Sequence, residues 1–242
     1  MVTVAEHYEC HLAPIYVWMV GGTEAALQAG AAEIDALGLP PAREAIVIDL
    51  GAGFGMHAIP LARRGARVTA IDSSAELLRT LATLRGDLPV AIVNGDLLGF
   101  PDRITEAPSA ILCMGDTITH LPDFAAIERL IQSASIALPS GGVLVLSFRD
   151  YSAPLVGEQR FIPVRSDETR ILTCFLEYEP QAVLVHDVLH IRSGDGWQTR
   201  VSCYRKLRLG PERVIATLRS NRFDVDRDVG MRGMVRLVAR RV

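Results

Sequence analysis

The chain has 242 residues, of which 49% are apolar and 22% are charged, and its formal net charge is −3. This length suits one domain with an elaboration and is enough to bury a large core without disulfides or metals. The slight acidic excess argues against a nucleic-acid partner, because phosphate binding needs a surplus of Lys and Arg.

The four cysteines, Cys10, Cys113, Cys174 and Cys203, are far apart and form no CxxC pair. This usage is typical of reduced thiols in a cytoplasmic protein. The N-terminus lacks the basic start of a signal peptide, and no apolar run approaches the ~20 residues that span a bilayer. We therefore predict a cytoplasmic protein without a membrane partner.

The first 150 residues read as helices followed by an alternation of strands and helices. Residues 1–40 are Ala-rich and predicted to be helical, with a break at Gly21-Gly22 and an end at Pro40-Pro41. The predicted strands are 45–50, 67–72, 90–93, 109–114 and 143–148, and the helices between them include 56–64, one capped by Ser73 or Ser74, and 123–138. This rhythm predicts an α/β fold with a parallel sheet and helices on both faces.

The pattern changes after Asp150. Segments 169–178, 182–193 and 198–209 are β-rich and separated by turn signals. We predict an antiparallel patch over one edge of the ligand crevice. Residues 211–220 then form a predicted helix, and 223–228 with 234–240 close the main sheet as a hairpin. The expected parts are thus 1–150, 151–210 and 211–242.

The strongest motif is the run VIDLGAGFG at 47–55, which places Gly51, Ala52 and Gly53 directly after a buried strand. Its glycines allow a tight turn and let a ligand touch bare backbone. Asp49 stands two residues before the first glycine, where it would repel the diphosphate of a dinucleotide. The loop therefore favours a ligand that carries an ammonium and a sulfonium.

Further carboxylates follow the next two strands. Asp72 ends the second strand and is placed to accept both hydroxyls of a ribose, and Asp96 ends the third, near an expected adenine. The alternative is that each of them only caps a loop or helix. The full set that we predict to bind the methyl donor is Asp49, Gly51, Ala52, Gly53, Asp72, Ser73, Gly95, Asp96, Leu97 and Met114.

Residues 45–150 resemble the class I S-adenosylmethionine-dependent methyltransferases, on the pieces VIDLGAGFG, AIDSS and NGDLL. The segments CMGDTITHL at 113–121 and FRDY at 148–151 resemble the glycine/sarcosine N-methyltransferases in particular. The resemblance implies a Rossmann-like sheet of seven strands, mostly parallel with the last antiparallel, and S-adenosylmethionine as cofactor. Asp116, Phe148 and Asp150 depart from the subgroup's Asn, His and Asn, which leaves the acceptor open.

The resemblance also implies the catalytic residues. Asp116 and His120 would flank the substrate amine, and Arg149 would hold a substrate carboxylate. Arg149 also follows the fifth strand directly, where its planar fork suits a carboxylate. A neutral imidazole at His120 is a candidate base for the amine proton. The expected substrate-binding residues are Tyr8, Tyr16, Trp18, Arg149 and Tyr151.

Several alternatives remain open at this point. The acceptor atom is nitrogen, oxygen or carbon. Two other classes of protein also remain as alternatives, a nicotinamide-dependent oxidoreductase and a non-catalytic donor-binding protein. The pairs His7/His11 and His186/His190 have metal-like spacing but lack further ligands, so we predict no metal. Two structural alternatives also remain. Arg149 would pair with Asp150, and Asp116 would only cap a turn. An exposed antiparallel edge leaves a homodimer possible.

Overall fold

The computed structural model describes residues 3–39 and 45–242. The predicted end of the first helical region at Pro40-Pro41 lies outside the described residues. The helices are α1 Val4–His7, α2 Ala13–Met19, α3 Thr23–Ala36, α4 Ala58–Arg63, α5 Ala75–Arg85, α6 Phe124–Ala137 and α7 Pro211–Ser220. A π-helical turn, Tyr8–Leu12, joins α1 to α2, and 3-10 turns lie at Leu97–Arg103, Thr117–His120, Gly157–Arg160 and Met231–Gly233.

Eleven strands are present in the described residues. They are β1 Ile46–Leu50, β2 Arg67–Asp72, β3 Val90–Asn94, β4 Ala110–Cys113, β5 Val143–Phe148, β6 Phe161–Ser166, β7 Arg170–Tyr178, β8 Ala182–Ser193, β9 Gly196–Leu207, β10 Phe223–Val229 and β11 Val235–Arg241.

The main sheet has seven strands in the order β10-β11-β5-β4-β1-β2-β3. Strand β1 pairs in parallel with β2 on one side and with β4 on the other, so the strand order reverses between β1 and β4. The last strand, β11, is antiparallel to both β5 and β10. This confirms the predicted fold class. In such a sheet the crevice at the reversal point, beyond the carboxyl ends of the strands, is where ligands bind.

The central strands are apolar along their whole length because helices cover both faces. Every residue of β4 and β5 is buried. One face packs against α6 and α7 through residues such as Ile127, Leu130 and Leu218, and the other packs against α3 and α4. This two-sided core holds the carboxyl ends of the strands rigidly in place.

The second sheet is an antiparallel meander, β6-β7-β8-β9. Its inner face packs against the N-terminal helices, where Leu12 and Ile15 meet Leu172 and Leu189. We predicted three β segments here and missed β6. Pro163 lies inside β6 and a register shift follows between Pro163 and Arg165, which breaks the alternation that marks a strand. Proline is tolerated there because β6 is the edge of the sheet.

Helix α4 begins at Ala58, two residues later than predicted, because residues 51–57 all belong to the turn that follows β1. None of the helices in residues 3–39 and 45–242 combines the length and apolarity that a bilayer crossing needs.

Candidate active site

The turn after β1 packs tightly against its neighbours. Gly51 has φ of 73°, and its N–H donates to the carbonyl of Ile71 at 2.8 Å. A Cβ added at Gly51 would lie 2.4 Å from Cγ2 of Thr117, in the segment that follows β4. The N–H of Gly53 donates to Oδ2 of Asp72 at 2.8 Å. Only glycine fits at position 51, because both the positive φ and the contact with Thr117 exclude a side chain.

A cavity of about 440 Å³ opens above this turn, and we call it the loop cavity. Nine of the ten residues predicted to bind the donor line it: Gly51, Ala52, Gly53, Asp72, Ser73, Gly95, Asp96, Leu97 and Met114. The carboxyl ends of β1, β2, β3 and β4 thus converge on one cavity, as expected at a strand-order reversal.

Asp49, the tenth predicted residue, lies behind the turn and does not line the cavity. It is 1% exposed, and its Oδ2 has no hydrogen-bond partner among the described residues. Burial raises the pKa of Asp49 to about 6, although His57 lowers it in part. A buried carboxylate with one oxygen left without a partner provides a negative field beneath the loop cavity.

Asp72 and Asp96 each make local hydrogen bonds as well as lining the loop cavity. Asp72 accepts the N–H of Ser74 at 2.8 Å through Oδ1, and Asp96 accepts the N–H of Leu98 at 2.9 Å. Burial raises the pKa of Asp72, against the backbone donors that lower it. The capping alternative and a ligand role are therefore compatible, because a carboxylate accepts several hydrogen bonds at once.

A second cavity of about 200 Å³ lies against the inner face of the antiparallel sheet, and we call it the sheet cavity. Five residues predicted for the acceptor site line it, namely Tyr8, Tyr16, Asp116, Arg149 and Tyr151. Tyr8 and Tyr16 line both cavities. The two cavities are therefore adjacent, and these tyrosines stand at their junction.

Asp116 is the centre of a buried polar cluster. It adopts a left-handed φ of 76°, and its Oδ1 accepts the N–H of Arg149 at 2.9 Å. Its Oδ2 accepts from Nζ of Lys206 at 2.5 Å and from the hydroxyl of Tyr151 at 3.4 Å. A non-glycine residue in this conformation persists only where its surroundings hold it, as these three contacts do here.

The two charges of this cluster stabilise each other. Burial alone would raise the pKa of Asp116 and lower that of Lys206. The mutual attraction outweighs burial, so the pKa of Asp116 is lowered and the pKa of Lys206 is raised. Both side chains are thus ionised at neutral pH although they are only 6% and 10% exposed. Removing either partner would leave a buried charge without compensation.

Arg149 is exposed and lines the sheet cavity. Within residues 3–39 and 45–242 it forms no ion pair. Asp150, the neighbour considered as its structural partner, instead accepts the N–H of Ser152 at 2.9 Å. The lining of the sheet cavity contains Arg149, Lys206 and Arg232 against Asp116 and Asp187, which is three cations to two carboxylates.

His120 lines the loop cavity rather than the sheet cavity. Its Nε2 is 3.2 Å from the hydroxyl of Tyr8, its ring stacks on Tyr204, and its Nδ1 has no partner among the described residues. Burial, helped by the charge of Lys206, lowers the pKa of His120 to about 3. The imidazole is therefore neutral at physiological pH, and its Nε2 shares a hydrogen bond with the hydroxyl of Tyr8.

Trp18 lies apart from both cavities. Its indole N–H donates to Asp167, and the guanidiniums of Arg165 and Arg170 lie over its ring at 5.7 Å each. The structure thus places it in a contact between α2 and the turn that joins β6 to β7, not beside the other residues expected at the substrate. The helical periodicity of 12–20 gave no means of separating Trp18 from Tyr16.

The histidine pairs with metal-like spacing contact other groups. His7 bonds to Asp187 at 2.9 Å and to Ser202 at 2.7 Å, and Cys174 donates to the same carboxylate at 2.7 Å. His186 contacts Glu177. The first of these networks ties α1 to strands β8 and β9.

Sequence reasoning missed Lys206 and Tyr204. Lys206 is the single lysine among the 25 Lys and Arg residues of the chain, and it is 8% exposed. A signal was present, because alternation along the predicted strand 198–209 places Tyr204 and Lys206 on one face. A lone lysine on the buried face of a strand indicates a charge kept for a specific partner.

The loop cavity fits S-adenosylmethionine on three observations. Glycines line it, carboxylates stand at the ends of β2 and β3, and Asp49 leaves a buried oxygen without a partner beneath the turn. The first suits close contact with a ligand, the second suits ribose and adenine donors, and the third suits a cationic ligand.

Comparisons with known proteins agree with this chemistry. A sequence model described as "Methyltransferase domain" matches residues 47–142. A ubiquinone biosynthesis O-methyltransferase of Xylella fastidiosa is 31% identical over 66% of this chain and 69% of its own length. A glycine/sarcosine N-methyltransferase of Aphanothece halophytica is 29% identical over 43% of this chain and 40% of its own.

Among solved structures, S-adenosylmethionine-bound CalS10, an amino pentose methyltransferase of Micromonospora echinaspora, superposes with a TM-score of 0.75. It is 18% identical and covers 96% of this chain and 97% of its own, which shows a shared fold. The chain spans about two thirds of the length of the O-methyltransferase relatives. Nothing in these matches favours a nicotinamide-dependent oxidoreductase. The chain therefore belongs to the class I methyltransferases and is an enzyme that uses S-adenosylmethionine to methylate a small molecule.

Proposed function

We propose that this enzyme transfers the methyl group to the amine nitrogen of a small carboxylated molecule. The observation that carries the proposal is that Arg149 lines the sheet cavity and has no ion pair among the described residues. It lies next to Asp116 at the carboxyl end of the main sheet. Its planar fork matches a carboxylate in a bidentate contact, and the cationic excess of the cavity suits an anionic group.

For the donor we propose backbone contacts at Gly51, Ala52 and Gly53, with Asp72 on the ribose and Asp96 on the adenine. Ser73, Gly95, Leu97 and Met114 would complete the wall. When bound, S-adenosylmethionine supplies an already activated methyl group. The protein then has to align the acceptor with that methyl and keep water away, and such positioning contributes up to roughly 7–11 kcal/mol in the best cases.

For the acceptor we propose that Asp116 receives a hydrogen bond from the amine and that Lys206 keeps this carboxylate ionised and in place. Tyr8, Tyr16 and Tyr151 would enclose the reacting group. His120 acts in this proposal through Tyr8, whose hydroxyl it orients. With its pKa lowered to about 3, His120 is a poor proton acceptor, so the amine enters uncharged.

The partial similarity to a glycine/sarcosine N-methyltransferase supports this reading, and so does the match of CMGDTITHL and FRDY to that subgroup. We propose that residues 151–210, which contain β6 to β9, cover the acceptor, while 1–150 and 211–242 form the donor-binding part. A hydroxyl acceptor is the second candidate. The ammonium of Lys206 beside Tyr8, Tyr151 and Tyr204 would stabilise an oxyanion, and longer matches are named O-methyltransferases.

The test is methyl transfer from labelled S-adenosylmethionine to a panel of amino acids and matched hydroxy acids, with wild type, Arg149→Ala and the exposed control Arg240→Ala. We expect amino acids to react, and we expect Arg149→Ala to raise their KM by roughly 10- to 100-fold, since a hydrogen bond to a charged group contributes about 1.5–3 kcal/mol. Donor affinity should not change. Turnover of hydroxy acids alone, or an unchanged KM in Arg149→Ala, would contradict the proposal.

A further inference from the structure

The wall of the sheet cavity is mostly apolar. Side chains from α2, α3, β6, β7 and β8 line it, among them Val20, Ile162, Val164, Leu176 and Val185. Leu176 and Val185 are 3% exposed each. None of these side chains has a hydrogen-bonding group. Contact with this wall is therefore favourable for an apolar part of a ligand.

Methionine is concentrated at this wall. Four of the six methionines of the chain line the sheet cavity, namely Met19, Met56, Met231 and Met234. They come from three separate parts of the chain. Methionine is unbranched and polarisable, and it adapts its shape to apolar ligands. A wall built this way suits a bulky apolar group and tolerates variation in its outline.

The polar groups that line the same cavity are four tyrosine hydroxyls, the Cys174 thiol and five charged side chains, and several of them are bonded to one another. Asp187 is taken up by His7 and Cys174. Oδ2 of Asp116 accepts from Lys206, and Oδ1 of Asp116 accepts from the backbone N–H of Arg149. The cavity thus offers a ligand the cluster around Asp116, together with Arg232 and the tyrosine hydroxyls, beside the apolar residues of its wall. The apolar residues offer no hydrogen-bond partners to a ligand with many hydroxyl groups.

We propose that the acceptor carries a branched aliphatic or aromatic body besides its amine and carboxylate, so that glycine and sarcosine are poor substrates. This inference rests on the proposed function, and it names the class of carboxylated amine. Glycine would satisfy Asp116 and Arg149 but would leave the apolar wall in contact with water. Each methylene that covers the wall is expected to improve binding about fourfold.

The experiment is a series of acceptors of increasing apolar size: glycine, sarcosine, L-alanine, L-leucine and L-phenylalanine. We expect kcat/KM to rise along the series, with leucine or phenylalanine at least roughly tenfold above glycine. A second readout needs no turnover. Calorimetric titration of the S-adenosylhomocysteine-loaded enzyme with phenylalanine should give a negative heat-capacity change, the mark of apolar burial.

A matched pair of variants on α3 tests the cavity itself. Ala29 lines the sheet cavity and is half-buried, whereas Ala32 is exposed on the same helix and lines neither cavity. Leucine is a good helix former at both positions. Ala29→Leu should narrow the cavity and lower kcat/KM for phenylalanine roughly tenfold or more, with little change for alanine. Ala32→Leu should behave like wild type.

The outcomes separate the two proposals. If glycine or sarcosine reacts best, the carboxylated-amine function stands and the apolar-body inference is overturned. If only hydroxy acids or amino sugars react, both are overturned. If leucine or phenylalanine reacts best, and Ala29→Leu reverses that preference while Ala32→Leu does not, the inference is supported.

Discussion

The two cavities of this enzyme are built in different ways. The loop cavity is lined chiefly by the carboxyl ends of β1 to β4 and the turns that follow them, all within residues 51–122, with only a few residues from the N-terminal helix. The sheet cavity draws on residues from position 8 to position 234 and on both sheets. The proposed donor site is thus local and encoded by motifs, whereas the proposed acceptor site depends on how distant segments pack together.

The difference extends to the forces that hold each cavity. Backbone geometry fixes the loop cavity, with Gly51 pressed against Thr117 and Gly53 bonded to Asp72. A buried ion pair, Asp116–Lys206, joins the end of the main sheet to β9 at the sheet cavity. Changes to one cavity should therefore leave the other intact, and the following predictions test that separation.

The largest expected effect is at the ion pair. Lys206→Met should leave Asp116 as a buried charge without a partner and lower the free energy of unfolding by about 3–5 kcal/mol. The double variant Asp116→Asn/Lys206→Met should recover most of this loss. Urea unfolding measures both effects, and titration with S-adenosylhomocysteine at a temperature where the variant is folded should show wild-type donor affinity. A single variant as stable as wild type would contradict the role of the pair.

Gly51→Ala should damage the loop cavity instead. The added Cβ combines a left-handed backbone penalty of about 1–2 kcal/mol with overpacking of about 1–3 kcal/mol against Thr117. We expect donor affinity to fall by at least roughly 30-fold in calorimetric titration, since a displaced turn changes the shape of the cavity wall. Gly99→Ala is the matched control, because nothing lies within 4 Å of its added Cβ. Equal affinity in both variants would argue against a rigid turn.

Asp49 should give the loop cavity a pH dependence. Its folded-state pKa of about 6 lies above the ordinary value of 3.8, so the folded chain holds this proton more tightly than the unfolded chain. The resulting stabilisation is complete below pH 3.8 and is lost as pH rises through 6. Asp49→Asn should therefore raise the free energy of unfolding by about 1–3 kcal/mol above pH 6.

The same substitution should weaken binding of the cationic donor, because the negative field beneath the turn is gone. Urea unfolding and donor titration at pH 5 and pH 7.5 measure the two effects. An Asp49→Asn variant that is no more stable at pH 7.5, or one that binds the donor as tightly as wild type, would contradict the assignment of an uncompensated carboxylate.

Tyr8 stands between the cavities and should give the smallest effect. Tyr8→Phe removes the hydrogen bond to Nε2 of His120, which contributes about 0.5–1.5 kcal/mol. We expect kcat to fall roughly fivefold with donor affinity and acceptor KM little changed, since orientation is lost and not binding. Steady-state kinetics with both substrates varied checks this, and a change confined to either KM would place Tyr8 in one cavity alone.

Many of the strand boundaries could be predicted from local sequence patterns. Strands β2 and β5 have the predicted bounds, because continuous apolar runs end at Asp72 and Phe148 without ambiguity. Strand β6 was missed because Pro163 and the register shift that follows it remove the alternation. The prediction of His120 as a proton acceptor rested on the unperturbed imidazole, and burial beside Lys206 is a tertiary effect that no local pattern reports.

The sequence by itself determined the α/β fold, the glycine turn and the carboxylates at or near the ends of β1, β2 and β3. It did so because these features depend on neighbours in the chain: hydrophobic runs, positive φ at glycine, and polar residues at strand ends. Only the tertiary structure decided that Lys206 faces Asp116, that Trp18 stands apart from both cavities, and that four methionines share one wall. Those relations join residues up to about 200 positions apart, and packing alone brings such residues together.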